Sequence, residues 1–314
     1  MLLASISDRR TVVILLGAYN GGKHIADQLD SIKAQTHQNW RLIVSDDRST
    51  DNTLDIVKAY QHAWGAEKLE IRQGPQQGFV RNFLSMACDP TIKADYFAFS
   101  DQDDVWLPEK LQVAIDYLDT VEHPAIPHVY GCRTIYTHEN LKPYGMSPEF
   151  VFPRTFRNAL IQNVVGGNTM VFNPVAKELL EAVGLVPTPS HDWWLYQLVT
   201  GAGGYVYYDP KPQVFYRQHN ESLVGGNSSI TAKVRRMMML FKGRFKSWSD
   251  QNIHCLNLAR PQLTEGSREI LDLFAKMRGA HFKDRLRLLE VCGLYRQTLG
   301  GTLSLLAASL FNKI

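Results

Sequence analysis

The chain has 314 residues, of which 45% are hydrophobic and 21% charged, with a formal net charge of +3. That usage is ordinary for a globular protein and excludes wholesale disorder, collagen and a disulfide miniprotein. No run of about 18 apolar residues occurs, so no helix is expected to span a bilayer. The N-terminus turns charged too soon for a secretory leader, and Cys88, Cys132, Cys255 and Cys292 form no CxxC pair. These features predict a reducing, cytoplasmic setting in which the sequons at Asn220 and Asn227 are chance matches. Charge is unevenly placed. Residues 230–314 hold 15 Lys/Arg against 6 Asp/Glu, and residues 1–229 hold 19 against 25.

Residues 11–18 are a β-rich apolar run long enough for a buried strand. Ile25, Leu29 and Ile32 then recur at helical spacing, with Asn20 as the expected N-cap. Residues 40–45 predict a second strand. Asp51-Asn52-Thr53 opens a helix with Leu54, Val57 and Tyr60 inward. A short strand at 69–72, a helix from Gly78 to Met86 and a strand at 96–100 follow. Another helix begins near Pro108 and carries Leu111, Ala114, Ile115 and Leu118. Strands alternating with helices predict a parallel α/β sheet, with ligands beyond the carboxyl ends of its strands. From about 125 to 225 the pattern is mixed, with a helix from about 174 and an aromatic strand near 205–210. Residues 226–232 form a polar linker, and the remainder is mainly helical and basic.

Three segments carry candidate chemistry. Gly17 to His24 approaches the phosphate-binding GxxxxGK[ST] loop, but His24 stands where the Mg²⁺-binding hydroxyl belongs. A glycine-rich strand-to-helix turn explains the spacing equally well. Asp46-Asp47-Arg48-Ser49-Thr50-Asp51 follows the second strand. Clustered carboxylates repel one another unless a donor or cation meets them, and a pyrimidine N3–H or ribose hydroxyls would serve. For Asp51 alone, an N-cap is the simpler reading. Ser100-Asp101-Gln102-Asp103-Asp104 follows the fourth strand. Asp101 and Asp103 are two apart, so an extended backbone points both the same way. That is a hard-cation site, suited to Mg²⁺ or Mn²⁺ completed by substrate phosphates.

With these residues in view, the chain resembles glycosyltransferase family 2, of the GT-A fold. The matching residues are Ala18-Tyr19-Asn20, Asp46-Asp47-x-Ser49-x-Asp51, Gly78 with Asn82, and the segment from Ser100 to Trp106. Gly167-Asn168, His191-Asp192-Trp193-Trp194 and Tyr216-Arg217-Gln218-His219 continue the series. The resemblance covers about residues 10–225. The DQDDVW and YRQH segments look most like the bacterial rhamnosyltransferase branch.

The resemblance implies a mixed central sheet in a catalytic domain at 1–225. Its nucleotide-sugar half would run to about 105 and its acceptor half from 106 to 225, followed by a basic, mainly helical region at 226–314. It implies inverting transfer from a nucleoside diphosphate sugar, dTDP-L-rhamnose favoured, onto a glycan or glycolipid acceptor. A UDP-hexose or UDP-N-acetylhexosamine transferase is the runner-up. A P-loop phosphotransferase and a non-catalytic binding relic are the competitors outside the class. Asp192 is the expected general base, with His191 in place of the first member of the family's acidic pair. Asp103 and His219 are the expected metal ligands. Ala18, Tyr19, Asn20, Asp46, Asp47, Arg81, Asp101, Gln102 and Arg217 are assigned to the nucleotide sugar. The usual family glycine after the acidic pair is Arg48 here. Trp106, Asn168, His191 and Trp193 are candidates to face the sugar or acceptor, with core packing the competing role for both tryptophans.

Residues 233–246 mix six cations with Met, Leu and Phe, and 302–311 are apolar but too short to span. Peripheral contact with the inner face of the cytoplasmic membrane and packing over the catalytic domain are both open for this region. Aromatics do not interleave with the cations as a stacking platform requires, so nucleic acid is not an expected partner.

Overall fold

The computed structural model describes residues 9–123, 125–218 and 244–310. The first half contains β1 (Val12–Ala18), α1 (Ile25–Lys33), β2 (Trp40–Asp46), α2 (Thr53–Trp64), β3 (Leu69–Gln73), α3 (Phe79–Ala87) and β4 (Tyr96–Ser100). Next come β5 (Val105–Trp106), α4 (Lys110–Asp119), β6 (His128–Thr137), β7 (Pro143–Met146), α5 (Phe156–Ala159), a 3₁₀ turn at Gly167–Thr169, and β8 (Val171–Phe172). The rest comprises α6 (Pro174–Val183), α7 (His191–Gly201), β9 (Tyr205–Arg217), α8 (Arg244–Leu258), α9 (Glu265–Gly279), α10 (Phe282–Cys292) and α11 (Leu299–Leu310).

The sheet runs in the order β3-β2-β1-β4-β8-β6-β9-β5, with β7 paired to β6. β1 pairs in parallel with β2 and β4, and β2 with β3. β8 runs antiparallel to β4 and β6, so the sheet is mixed, as the resemblance implied. The apolar run of β1 divides by alternation. Val13 and Leu15 join one core with Phe83, Phe97 and Phe99, whereas Val12, Ile14 and Leu16 join another with Ile25, Leu29 and Val44. A strand covered on both faces must be apolar throughout, which is why it reads as a continuous run.

Two expected helix caps are corrected. α1 begins at Ile25 after His24, and Asn20 is instead a left-handed loop residue with φ of 48°. Its side-chain oxygen accepts the Thr50 N–H at 2.8 Å. Asn52 takes the N-cap position of α2 without a side-chain bond. Asp51 just before it accepts the Thr53 N–H at 3.0 Å and the Gly22 N–H at 2.9 Å.

The C-terminal helices share the core on one face of the sheet. Cys255, Leu256, Ala259, Phe274 and Met277 belong to the same apolar cluster as Trp193 and Trp194. All four cysteines are free. The expected linker at 226–232 and most of the basic stretch at 233–246 lie outside the described residues. Among the described residues, no helix is long and apolar enough to cross a membrane.

Candidate active site

The carboxyl ends of β1, β2 and β4 and the start of α7 border one cleft of about 880 Å³. Asp47, Asp101, Asp103 and Asp192 all line it, together with Ala18, Tyr19, Gln102 and Arg217. Acidic residues from three separate stretches of sequence therefore meet in one place.

Local bonds build the end of the cleft beside β1 and β2. Gln102 clamps Tyr19 from both sides, accepting its N–H and donating to its carbonyl, each at 2.9 Å. Asp47 accepts the Gln76 N–H at 2.5 Å and the Gly78 N–H at 2.9 Å, which ties the end of β2 to the loop before α3. Each Asp47 oxygen keeps a second lone pair for a ligand donor. Asp46 does not line the cleft. It accepts the Ser49 N–H at 3.0 Å and the Ser49 hydroxyl at 2.5 Å, so its expected nucleotide role is corrected to shaping the loop. Asn20 stands outside the cleft lining, and its side-chain oxygen braces Thr50, which borders the cleft. Arg48 adopts φ of 70°, the conformation that favours glycine, and its side chain borders the cleft beside Gln76. Arg48 and Gln76 were not among the expected site residues. The departure from glycine at 48 was the signal that pointed there.

The phosphate-loop reading of Gly17 to His24 is overturned. The Asn20 and Gly21 amides donate to the hydroxyls of Ser49 and Thr53 at 2.9 and 2.8 Å, and the Gly22 amide goes to Asp51. Amides so occupied cannot cradle a phosphate. Gly21 and Gly22 allow close packing instead: a Cβ would come within 2.2 Å of Gln102 and 2.0 Å of Asn52.

The acidic segment after β4 has an internal division of labour. Burial, then the charges of Asp103 and Asp192, push the Asp101 carboxyl up to about 8. Asp104 is fully buried behind the cleft. Among the described residues, no three metal-ligating side chains cluster. Two facing carboxylates in a field that disfavours a further negative charge do fit a hard dication, which takes one or two protein carboxylates and completes its shell from phosphate and water. His219 lies outside the described residues.

Arg217 is only 2% exposed, and each of its three guanidinium nitrogens is held by the protein. Nε donates to the Asp103 carbonyl at 2.9 Å, one terminal nitrogen to Asp27 at 2.8 Å, and the other to the Glu139 carbonyl. Arg217 thus braces the loop after β4 while it borders the cleft. Arg81 does not line the cleft; its charge acts on Cys88 and Cys255, behind α3. That expectation is corrected as well.

At the other end, Asp192 accepts the Gly167 N–H at 3.0 Å and the Trp193 N–H at 2.7 Å, with the Ser190 hydroxyl as a third donor. His191 is a buried imidazole stacked on Phe83 at 4.0 Å, with the edge of Phe99 at 4.8 Å. Neither ring nitrogen has a hydrogen-bond partner, and burial drives its pKa down to about 4. His191 borders the cleft as a neutral ring.

Both expected tryptophan platforms are corrected to core. Trp106 is buried beneath the Lys110 ammonium, 3.6 Å from its ring centre. Trp193 donates from Nε1 to the Ala159 carbonyl at 2.6 Å and packs near Phe245 and Trp248. Asn168 is buried and donates to Asp104 at 2.5 Å rather than facing a sugar. Trp193→Ala is therefore expected to cost about 3–5 kcal/mol of stability, read by urea unfolding. A loss of sugar affinity with unchanged stability would return Trp193 to the site.

The mixed sheet and the acidic cleft at its strand ends define a GT-A glycosyltransferase. The family model described as Glycosyl transferase family 2 matches residues 13–184. The chain belongs to that family and is a glycosyltransferase. It is 29% identical over 238 residues to the dTDP-rhamnosyl transferase RfbG of Shigella flexneri, spanning 71% of this chain and 78% of that one. It is 32% identical over 194 residues to WfgD of Escherichia coli, named a UDP-Glc:alpha-D-GlcNAc-diphosphoundecaprenol beta-1,3-glucosyltransferase, spanning 60% and 69%. The crystal structure of Staphylococcus aureus TarS residues 1–349 with UDP-GlcNAc superposes with a TM-score of 0.51 at 18% identity, covering 79% of this chain and 72% of that one. At that identity the likeness concerns the fold.

Proposed function

We propose that the enzyme transfers a sugar, L-rhamnose from dTDP-L-rhamnose favoured, with inversion onto a hydroxyl of a lipid-linked, lipopolysaccharide or capsular glycan. The observation that carries the reading is the meeting of Asp47, Asp101, Asp103 and Asp192 in one cleft. The likeness to RfbG supports the donor. In the reaction, the acceptor oxygen attacks the anomeric carbon as the bond to the diphosphate oxygen breaks and its electron pair leaves with the diphosphate. The acceptor proton passes to the Asp192 carboxylate. Asp192 suits that role because it is ordered by three donors from the protein, whereas His191 keeps its nitrogens buried. Asp103, with Asp101 beside it, would hold Mg²⁺ or Mn²⁺, which supplies neutralisation of the charge growing on the diphosphate. Asp47 and Tyr19 border the nucleoside end.

A thermal-shift panel of dTDP, UDP and ATP, each with Mn²⁺ or chelator, tests the reading. Stabilisation by dTDP that chelator removes is the expected result. Preference for UDP would favour the runner-up, a UDP-hexose transferase, which the likeness to WfgD supports. Stabilisation by ATP alone would overturn the class of donor.

The same reading places the enzyme at a membrane surface where its glycolipid acceptor resides. On α11, Leu299, Leu303 and Leu306 are exposed at helical spacing. On α10, Phe282 and Leu286 are exposed beside Lys283 and Arg287. Apolar anchors next to cations suit an anionic leaflet, each cation adding about 1 kcal/mol. Co-sedimentation with phosphatidylglycerol vesicles is expected, and Leu299→Glu with Leu303→Glu should release the protein without lowering its Tm. Equal retention of both proteins would overturn the membrane contact.

A further inference from the structure

The last carboxylate of the metal motif faces away from the cleft. Asp104 is fully buried, although it adjoins Asp103, which lines the cleft. Both of its oxygens are in use. One accepts the Asn168 side-chain N–H at 2.5 Å, and the other accepts the Arg217 backbone N–H at 3.2 Å. Arg217 in turn holds the Asp103 carbonyl through Nε at 2.9 Å. On the other side, Asn168 follows directly after Gly167, whose N–H donates to Asp192 at 3.0 Å. Position 167 accepts only glycine, because a Cβ there would stand 2.6 Å from His191 Nε2 and 3.4 Å from the Asp192 Cβ. A continuous chain of bonds thus runs from the metal loop through Asp104, Asn168 and Gly167 to the proposed base.

We infer that Asp104 and Asn168 are positioning residues that set Asp192 at a fixed distance from the donor's phosphate site. The inference rests on the reading above, in which Asp103 and Asp192 serve opposite ends of one displacement. Neither Asp104 nor Asn168 lines the cleft, so neither touches substrate. Their effect passes through the Gly167 amide. A carboxylate suits position 104 because it presents acceptors to two donors at once. An asparagine there would turn an N–H toward one of them. The link joins the strand-end loop after β4 to the 3₁₀ turn before β8, and these two segments carry opposite tasks of the reaction. A displacement needs its attacking and leaving groups aligned, and a misplacement of about 1 Å costs on the order of 100-fold in rate.

The test is steady-state nucleotide release, first by wild-type protein with dTDP-rhamnose, UDP-glucose and UDP-N-acetylglucosamine in Mn²⁺, water serving as acceptor where no glycan is supplied. Asn168→Ala is then compared with wild type on the active donor. The expected result is a kcat lower by about 10- to 100-fold, with donor KM and the dTDP-induced rise in Tm unchanged. Asn168→Ser, a smaller disturbance that keeps a hydroxyl donor, should recover part of the loss. Asp104→Asn combined with Asn168→Ala should be no slower than the worse single variant, since both break the same chain. A purely structural role would lower the Tm and the fraction of dTDP-binding sites found by calorimetric titration, while kcat per titrated site stayed at the wild-type value. Wild-type turnover with a wild-type kcat in Asn168→Ala would overturn the inference alone, and so would multiplicative losses in the double variant. Absence of nucleotide release by the wild type from every donor would overturn the underlying reading and the inference with it.

Discussion

Asp192→Asn is expected to lower turnover by about 10²- to 10⁴-fold, the usual share of a general base, while dTDP binding in Mn²⁺ is unchanged. The substitution is nearly isosteric. One amide oxygen can still accept from the Trp193 or the Gly167 N–H, so the start of α7 should keep its place. What is lost is the carboxylate that takes the acceptor proton. Calorimetry with dTDP, alongside a nucleotide-release assay, separates the two quantities. Activity kept in Asp192→Asn but lost in His191→Phe would move the proton acceptor to the imidazole. The burial of both His191 nitrogens argues against that outcome.

The second large effect concerns the paired carboxylates and a dication. Chelation, or Asp103→Asn, is expected to abolish turnover together with the stabilisation by dTDP. Stability without metal should depend on pH in a stated direction. Asp101 rises from an ordinary 3.8 to about 8 in the folded protein. Folding therefore takes up a proton between those values. The stabilising contribution is complete below the unfolded value and disappears as pH rises through the folded one. The metal-free protein should lose Tm between about pH 4 and pH 8. A cation at the carboxylates should restore it, so the gain in Tm from Mn²⁺ should be larger at pH 8 than at pH 6. Asp101→Asn should raise the metal-free Tm at pH 8 and remove the gain. Equal gains at both pH values would separate Asp101 from the cation.

The two large effects have the same physical origin. Carboxylates were brought from separate strand ends into one partly dehydrated cleft, where their charges act on one another. That costs stability in the absence of a counter-charge, and functional sites are where such arrangements concentrate.

Much of this was legible before the coordinates. The four opening strands fall where the apolar runs placed them, and the acidic segments lie at their carboxyl ends. Asp101 and Asp103 both stand on the cleft, although the strand ends at Ser100 and the segment carrying them bends. The assignments that changed share one feature: each depended on which way a side chain turned once a distant partner was present. Asp46 and Asp47 are neighbours, yet Ser49 draws one inward while Gln76 and Gly78 hold the other at the cleft. Arg217 resembled a free phosphate contact until Asp27, Glu139 and Asp103 occupied it. Trp106 and Trp193 carried no local mark separating a sugar platform from a core ring.

The sequence by itself determined the alternation of strands and helices, the family, and the places where carboxylates would gather. These follow from periodicity and from ordered local motifs, which the chain carries whatever its neighbours are. Only the tertiary structure decided which carboxylates face the cleft and which are turned to partners in the protein. That choice depends on the donors met by each oxygen, and for Asp104 one such donor, Asn168, lies 64 positions away along the chain.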